Sequence, residues 1–296
     1  MRQAKIYFFI IVCFTISISL IDLWYSKSFM KGSPSTTMQK NSEPGLRAID
    51  SIMKFAVNNT VIVTICNRGM AEEWLQQWYL SAQMVGIKHA VVVLTDREAY
   101  DWAQERIGER AVLFTDIAPL LDDEKRWATS TVKGNERAFN WRSSGYEKIV
   151  IQRATILKYL LLSTPLDVVY SDTDVHWSKD PTYHLFLNYS QFHMCIQREQ
   201  GDEVGDYNCS GFMYLRNLNL TVTLLSTWES YIKYRMTKRG FFTDQEELNA
   251  LLKDLKKKRK NPLISEDLNL LKVSTLDWDE FPSGVNYFLV RRKGKG

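Results

Sequence analysis

The stretch Val168-Val-Tyr-Ser-Asp172-Thr-Asp174-Val-His-Trp177 places two carboxylates two residues apart, directly after an apolar run. Residues 166–171 are rich in β-branched and aromatic side chains, which predicts a buried strand that ends at the acidic pair. Ligands of open α/β sheets bind beyond the carboxyl ends of the strands, and carboxylate oxygens suit Mg²⁺ or Mn²⁺. The pattern therefore predicts a divalent metal held by Asp172 and Asp174, with a solvated acidic turn as the simpler alternative.

Two other kinds of acidic motif share features with this stretch. An EF-hand loop needs Gly at its sixth position and Glu at its twelfth, and these positions hold Trp177 and Tyr183, which excludes a calcium loop. Phosphatases of the haloacid dehalogenase type also carry D-x-D after a strand. Their motif has Thr or Val where this chain has His176, and it opens the domain, whereas three predicted strands come first here. The phosphatase is kept as a less favoured hypothesis.

Strand and helix patterns alternate on the N-terminal side of the acidic pair. Strands are predicted over residues 60–65, 89–94, 111–114 and 166–171, and helices over 70–85, 97–107 and 149–162. This alternation indicates βαβ units and a largely parallel sheet covered on both faces. Residues 117–145 have no clear period. The later strands are predicted over 192–196, 211–215 and 270–276, and the later helices over 218–234 and 244–256.

The first 58 residues carry a different pattern. Residues 6–24 hold no charge until Asp22 and follow Arg2 and Lys5, and a membrane-spanning helix needs about 20 mostly apolar residues. The positive flank predicts a cytoplasmic tail over residues 1–5 and an uncleaved signal anchor over residues 6–24. A cleaved signal peptide is the alternative. Residues 25–58, rich in Ser, Lys, Pro and Gly, are interpreted as a stem, and residues 59–296 as one domain.

Charge and cysteine content exclude some classes of protein. The net charge of +4 over 296 residues is too small to indicate nucleic-acid binding. Outside the anchor, Cys66, Cys195 and Cys209 are too few for a disulfide framework. A Cys195–Cys209 bridge and buried free thiols are the alternatives, and free thiols are the simpler one. Mild support for a lumenal domain comes from four N-x-S/T sequons. Their asparagines are Asn58, Asn188, Asn208 and Asn219.

Several ordered motifs resemble those of the nucleotide-diphospho-sugar transferase family, to which plant pectin xylosyltransferases and extensin arabinosyltransferases belong. The acidic stretch continues to Pro181 as S-D-T-D-V-H-W-S-K-D-P, which is similar to the family core S-D-x-D-x-x-W-x-x-D-P. Further segments match in order over residues 60–288. They are Val63-Thr-Ile-Cys-Asn67, Leu94-Thr-Asp96, Gly211-Phe-Met-Tyr-Leu-Arg216, Asp244-Gln245 with Leu248-Asn249, and Phe281-Pro-Ser-Gly-Val-Asn-Tyr-Phe288.

The resemblance implies a GT-A fold, which is Rossmann-like with a mixed, mostly parallel sheet. It implies an enzyme that moves a pentose or hexose from a nucleotide-sugar, with UDP as the expected nucleotide, to a glycan or glycoprotein acceptor. It also implies Mn²⁺ or Mg²⁺ as cofactor and retention of anomeric configuration. With the anchor, the expected protein is a single-pass type II Golgi membrane protein whose domain over residues 59–296 is lumenal.

The same resemblance assigns roles to individual residues. Asp172 and Asp174 are expected to hold the metal, and Asp244 and Gln245 to act catalytically at the transferred sugar or acceptor. Arg153 is expected to approach the diphosphate or nucleotide, since a guanidinium binds phosphate oxygens in a fork. The other residues expected to bind the nucleotide-sugar are Thr64, Asn67, Asp96, Ser171, Ser210 and Gly211. The structural alternatives are a surface arginine at position 153 and a helix N-cap at residues 243–244.

Two departures from the family pattern keep a further hypothesis open. Cys209 stands where the family has Asn before Ser-Gly-Phe, with Asn208 one place earlier. A glycan on Asn208 would crowd the expected site, so this sequon is expected to stay unused in a working enzyme. The sequence ends at Gly296 without the His-containing segment that supplies a further metal ligand in the family. A C-terminally truncated domain and a catalytically inactive nucleotide-sugar-binding relative are therefore alternatives to an active transferase.

Overall fold

The computed structural model describes residues 44–117, 144–200, 203–238 and 242–283. The strands of this part are β1 Thr60–Cys66, β2 Ala90–Leu94, β3 Ala111–Leu113, β4 Asp167–Ser171, β5 Met194–Gln200, β6 Tyr207–Leu215 and β7 Val273–Thr275. They form one seven-stranded sheet in the order β3-β2-β1-β4-β6-β5-β7.

Helices connect most of these strands. The first is α1 Pro44–Phe55, and α2 consists of three consecutive segments, Arg68–Met70, the π-helical Ala71–Leu75 and Gln76–Met84. The others are α3 Arg97–Ile107, α4 Phe114–Ile117, α5 Ser144–Ser163, α6 Thr182–Tyr189, α7 Asn219–Met236 and α8 Asp244–Lys256. Short 3₁₀ turns lie at Gly108–Arg110 and Glu266–Leu270.

The sheet changes its order of connection beside β1. This strand pairs in parallel with β2 on one side and with β4 on the other, so that Val63 lies opposite both Val91 and Tyr170. The strands numbered before β4 extend to one side, and those numbered after it extend to the other. Among the described strands β6 alone runs antiparallel to its neighbours, β4 and β5. The carboxyl ends of β1 and β4 therefore flank a topological switch point, where open sheets bind ligands.

Apolar side chains cover both faces of the sheet. One cluster includes Val168 and Tyr170 of β4 with Leu157 of α5 and Trp228 of α7. The other includes Val169 of β4, so alternate residues of the strand enter opposite clusters. Strands that are buried on both faces need no polar alternation, which explains the continuous apolar sequence of β1.

The predicted α/β architecture with a mixed, mostly parallel sheet is confirmed. Each strand and helix predicted between residues 60 and 276 corresponds to an element, and α3 and α8 have their predicted bounds. β5 and β6 extend beyond the predicted ranges, to Gln200 and from Tyr207 respectively. The sequence pattern misses these residues because most of them are polar.

Three helices, α1, the single turn α4 and α6, are not predicted from the pattern. Residues 44–55, interpreted as part of the stem, instead form α1 and bury Ala48 and Ile52. α1 is missed because its buried stripe is narrow and follows a stretch rich in Ser and Lys. Most of the segment without a clear period, residues 118–143, lies outside the described residues.

The predicted anchor, residues 6–24, also lies outside the described residues and stays a prediction. None of the described helices combines the length and the hydropathy needed to cross a bilayer. Cys66, Cys195 and Cys209 carry free thiols. The simpler of the two cysteine alternatives therefore holds, and the Cys195–Cys209 bridge does not form.

Candidate functional site

The acidic pair lies at the switch point of the sheet. Ser171 is the last residue of β4, and Asp172 and Asp174 follow in a turn where the Val175 amide donates to the Asp172 carbonyl at 3.3 Å. The Asp172 amide in turn donates to the Gly211 carbonyl of β6 at 2.8 Å. Backbone hydrogen bonds thus fix the start of the acidic turn between two strands.

Three neighbours hold the Asp172 side chain. Arg153 Nη2 donates to Oδ1 at 3.0 Å, and the Tyr170 hydroxyl donates to the same oxygen. The other oxygen, Oδ2, lies against Gly211, where an added Cβ would come within 2.6 Å of it. Within the described residues Oδ2 accepts no hydrogen bond. Hydrogen bonds therefore hold the carboxylate through Oδ1, and Oδ2 keeps its acceptor capacity for a ligand.

Arg153 joins two carboxylates from different elements. It projects from α5 and is buried, with its guanidinium 5.1 Å from the centre of the Tyr170 ring. Nη1 lies 3.1 Å from Oδ2 of Asp244, the first residue of α8, and Nη1 also donates to the Ser210 hydroxyl. A planar guanidinium can serve several acceptors at once. Arg153 is thus an internal organiser of the acidic site, and the surface-arginine alternative is wrong.

Asp244 is buried, with 2% of its surface exposed. Burial raises the pKa of its carboxyl to about 6, the nearby Asp172 adds to this rise, and Arg153 opposes it. Thr243, not Asp244, caps the helix, since its hydroxyl accepts from the Glu246 amide at 3.1 Å and Glu246 returns the bond. Asp244 therefore serves as the counter-charge of Arg153, and its catalytic role stays a prediction.

Gln245 links α8 to β6 and β5. Its Oε1 accepts from the Ser210 amide at 3.0 Å, and its Nε2 donates to Oε2 of Glu199 at 3.0 Å. The Ser210 hydroxyl therefore lies between Arg153 and Gln245. These contacts place Ser210 and Gln245 beside the acidic pair, and their roles toward a ligand stay predictions.

The residues predicted to line a nucleotide pocket are found near the ends of β1 and β2. Asn67 caps α2 by accepting from the Met70 amide at 3.0 Å. Asp96 caps α3 through Ala99 at 2.8 Å and accepts from the Arg68 amide at 3.0 Å, which ties the two strand ends together. Both side chains are partly exposed. Thr64, in contrast, is fully buried, and its hydroxyl has no hydrogen-bond partner among the described residues.

Half of the acidic motif has a structural role. The Ser171 hydroxyl turns away from Asp172 and lies 2.8 Å from the donating Trp78 indole nitrogen of α2. Trp177 is buried between Trp78 and Phe212, with its ring centre 5.9 Å from each. His176 is exposed on the turn.

Asp180 continues this structural half, since it accepts from the Thr182 amide at 2.9 Å as α6 begins. The W-x-x-D-P part of the motif therefore anchors the acidic turn.

The match to a family model now completes these observations. A model described as nucleotide-diphospho-sugar transferase matches residues 85–296, which include the acidic turn, the Gly211 strand and the start of α8. The chain belongs to the nucleotide-diphospho-sugar transferase family. Together with three strands that precede the acidic pair, this removes the support for a dehalogenase-type phosphatase.

One known protein is distantly similar to this chain. A UDP-galactose:fucoside alpha-3-galactosyltransferase of Dictyostelium discoideum is 22% identical over 258 residues, which is 80% of this chain and 38% of that protein. This chain thus spans much less than the full length of that relative.

Two solved structures are also similar. The glycosyltransferase GlyE of Streptococcus pneumoniae has a TM-score of 0.46 at 13% identity, over 81% of this chain and 50% of that one. Mouse xyloside xylosyltransferase 1 has a TM-score of 0.41 at 15% identity, over 74% of this chain and 85% of that one.

The acidic pair of this chain has ligand chemistry that fits a divalent cation. Solvent reaches Asp174, yet surrounding protein and the Asp172 carboxylate raise the pKa of Asp174, so the two charges are close enough to repel. A cation between them would relieve that repulsion, and Asp172 Oδ2 is placed for it by the absent Cβ of Gly211. Within the described residues no group of three or more metal-ligating side chains forms. Two carboxylates with substrate phosphates and water are an ordinary set of Mg²⁺ ligands.

Glu199 is the functional candidate that the sequence analysis missed. β5 was expected to end at residue 196, so Glu199 fell in a connection of no predicted role. Asn249, part of the D-Q-x-x-x-N motif, is explained by its bonds to Asn208: its Oδ1 accepts from the Asn208 amide at 2.7 Å, and its Nδ2 donates to the Asn208 carbonyl at 2.8 Å. Asn208 is fully buried, which agrees with an unused sequon.

Proposed function

We propose that this chain transfers a sugar from a nucleoside-diphosphate sugar to a hydroxyl of a glycan or glycoprotein, with a divalent cation held by Asp172 and Asp174. The observation that carries this proposal is the arrangement of the two carboxylates at the β1–β4 switch point, where the missing side chain of Gly211 leaves room for Asp172 Oδ2. Family membership supports a nucleotide-sugar donor, and the acidic pair at the switch point supports a site for its diphosphate.

The chain's own residues have distinct tasks in this proposal. Arg153 and Tyr170 hold Asp172 Oδ1 and thereby orient Oδ2 toward the ligand. A bound Mn²⁺ or Mg²⁺ supplies charge neutralisation for the diphosphate as the bond to the sugar breaks. Asn67 and Asp96, partly exposed at the ends of β1 and β2, are placed beside the nucleoside. Gln245 and Asp244, at the start of α8, border the place of the transferred sugar. Retention of configuration is proposed on the family resemblance.

The donor and the cellular location complete the proposal. The name of the Dictyostelium relative gives UDP-galactose and a fucoside as the first donor and acceptor to test, although the transferred sugar is left open between pentoses and hexoses. The apolar residues 6–24 with their basic flank support a single-pass type II Golgi protein with a lumenal domain.

The test measures UDP release by the purified full-length chain with a panel of UDP-pentoses and UDP-hexoses and Mn²⁺. We expect release with one donor, stimulated by its acceptor and abolished by EDTA. Asp174→Asn is the matched variant, since Asp174 has no ion pair to disrupt among the described residues, whereas Asp172→Asn would also unbalance Arg153. Asp101→Asn, which removes an exposed carboxylate on α3, is the control.

Each outcome of this experiment has one meaning. Release that is lost in Asp174→Asn and kept in Asp101→Asn supports the proposed transferase. Mn²⁺-dependent UDP binding without release from any donor supports the inactive nucleotide-sugar-binding relative. A chain that neither binds UDP nor releases it from any donor would contradict both the active transferase and the inactive relative.

A further inference from the structure

Glu199 lies near the end of β5, where the pairing with β6 is irregular. The register shifts between Ile196 and Gln197 and again between Arg198 and Gln200, so Glu199 lies within the second irregularity. Such bulges bend a strand and re-aim side chains, and they are frequent next to active sites. Glu199 is half-buried, whereas the next residue, Gln200, is exposed.

Hydrogen bonds fix the orientation of the Gln245 side-chain amide, which binds Glu199. The Ser210 amide can only donate, so it requires Oε1 of Gln245, and the Glu199 carboxylate can only accept, so it requires Nε2. The Gln245 amide therefore has one orientation that satisfies both partners. The Nε2 group of Gln245 thereby holds Oε2 of Glu199 beside the start of α8.

Glu199 belongs to the neighbourhood of the acidic pair. Ser210, which accepts from Arg153, connects Gln245 to the guanidinium that holds Asp172. The Cys209 thiol lies near both ends of this chain of contacts. Burial raises the pKa of Cys209 to about 12, and the charges of Asp172 and Glu199 both contribute. Glu199 and Asp172 thus border the same small region near the start of β6.

The Glu199 carboxylate lacks a cationic partner in the described part of the chain. Its one hydrogen bond there comes from the neutral amide of Gln245. The adjacent Arg198 is directed elsewhere: its guanidinium lies 5.3 Å from the centre of the Trp278 ring and donates to the Thr275 hydroxyl at 3.1 Å. A half-buried carboxylate with unused acceptor capacity can accept hydrogen bonds from donors that a ligand brings.

We propose that Glu199 binds a hydroxyl group of a sugar ring at the reaction site and thereby contributes to the choice of sugar. The inference rests on the proposed transferase function and identifies a substrate-binding residue for it. Sugar hydroxyls are neutral donors, and a carboxylate can accept from two neighbouring hydroxyls. Gln245 then acts as the positioning residue that holds Glu199. The sugar is either that of the donor or that of the acceptor, since both meet at this place.

The test compares steady-state kinetics of the full-length wild type, Glu199→Gln, Glu199→Ala and the control Glu203→Gln. Glu203 is an exposed glutamate that pairs with Lys256 away from the acidic pair. Glu199→Gln keeps the shape and the contact with Gln245 but removes the charge. We expect kcat/KM to fall about 10- to 100-fold, because hydrogen bonds to charged groups are worth that much. Glu199→Ala should lose more, and Glu203→Gln should match the wild type.

Two arms distinguish the donor sugar from the acceptor sugar. If Glu199 binds the donor sugar, the variants raise the donor KM and slow donor hydrolysis in the absence of acceptor. If it binds the acceptor, only the acceptor KM rises and hydrolysis is unchanged. In both cases Mn²⁺-dependent affinity for UDP, which has no sugar beyond its ribose, should stay at the wild-type value. A purely structural role would lower UDP affinity and thermal stability together.

The outcomes also separate this inference from the proposed function. Unchanged KM and kcat in both Glu199 variants of an active enzyme would overturn the role of Glu199 and leave the transferase standing. A wild type that binds UDP-sugars without turnover still allows the comparison, with UDP-sugar affinity against UDP affinity as the readout. A wild type that binds no nucleotide-sugar would remove the function and the inference with it.

Discussion

Asp172 is controlled by residues that come from four separate elements. α5 supplies Arg153, β4 supplies Tyr170, β6 supplies Gly211, and α8 supplies Asp244 as the second carboxylate on the guanidinium. A buried arginine that loses one partner keeps an uncompensated charge, which costs several kcal/mol. The position of Asp172 Oδ2 is therefore a shared product of these contacts.

Gly211→Ala tests this control at a single atom. The added Cβ would stand 2.6 Å from Asp172 Oδ2 and 3.2 Å from its Cγ, so the carboxylate must move. We expect Mn²⁺-dependent UDP affinity to fall about 10- to 100-fold, the range seen when groups that orient metal ligands are changed. Calorimetry measures the affinity, and thermal unfolding checks that the fold survives. Wild-type affinity in Gly211→Ala would show that Asp172 Oδ2 is not a ligand.

Sequence reasoning at the residue scale identifies charges after strands but not the direction of side chains. Asp172 and Asp174 are predicted as ligands because a carboxylate pair after a buried strand has few structural uses. Ser171 is assigned to the ligand, yet its hydroxyl binds Trp78, because strand alternation turns it to the opposite face from Asp172. Glu199 is missed because its approach to Gln245 depends on two irregularities of pairing that no local pattern encodes.

The helix α1 extends the packed domain toward the N-terminus. Ile52 is fully buried in the same cluster as β1 and α5, whereas its neighbour Met53 is 38% exposed. A helix anchored by one narrow stripe depends strongly on its central residue.

Ile52→Ala should lower the free energy of unfolding by about 2–5 kcal/mol, the usual cost of truncating a buried isoleucine. Met53→Ala, the matched control one residue away, should cost less than about 1 kcal/mol. Chemical denaturation of the full-length chain measures both. Equal effects would contradict the packing of α1 on the sheet.

A second contact between elements secures the turn that carries the acidic pair. His89, buried just before β2, lies 2.6 Å from the Thr182 hydroxyl at the start of α6 and 3.7 Å from Asp180. Burial lowers the pKa of His89, the charge of Asp180 opposes this, and Arg110 adds to it. Because the folded pKa lies below the unfolded one, neutral His89 stabilises the fold above the unfolded pKa of about 6.5.

That stability should be lost on acidification. As the pH falls from about 6.5 through the lowered folded pKa, the unfolded chain takes up the proton first. We therefore expect the unfolding free energy of the wild type to decrease over this range more steeply than that of His89→Gln. Denaturant titrations at a series of pH values give the two slopes. Parallel slopes would mean that His89 titrates alike in the folded and unfolded chain.

Elements with a full apolar face are predictable from the sequence, and those defined by tertiary context are not. α3 has its predicted bounds because Asp96 caps it and Gly108 ends it. α6 is missed because its apolar residues do not follow the helical period of a buried face. Tyr183, Phe186 and Leu187 are instead exposed. Its position is set instead by Asp180, Thr182 and the buried Leu185.

For the molecule as a whole, the proposed lumenal location predicts a pattern of glycosylation. Asn58, Asn188 and Asn219 are exposed, whereas Asn208 is fully buried and bonded to Asn249. In a eukaryotic host we expect glycans on one or more of the exposed asparagines and none on Asn208. Mass spectrometry of the folded protein, with and without a peptide-N-glycosidase, measures this. A chain without any glycan would contradict the lumenal proposal, and a glycan on Asn208 would contradict the fold around it.

The most direct test of the central claim is a calorimetric titration of UDP into the full-length chain with and without Mn²⁺. The wild type and Asp101→Asn should bind UDP tightly only when Mn²⁺ is present. Asp174→Asn should lose most of this Mn²⁺-dependent affinity while keeping its unfolding temperature, because Asp174 has no ion pair in the described structure. UDP binding that is independent of Mn²⁺, or unchanged in Asp174→Asn, would contradict a metal-dependent diphosphate site at the end of β4.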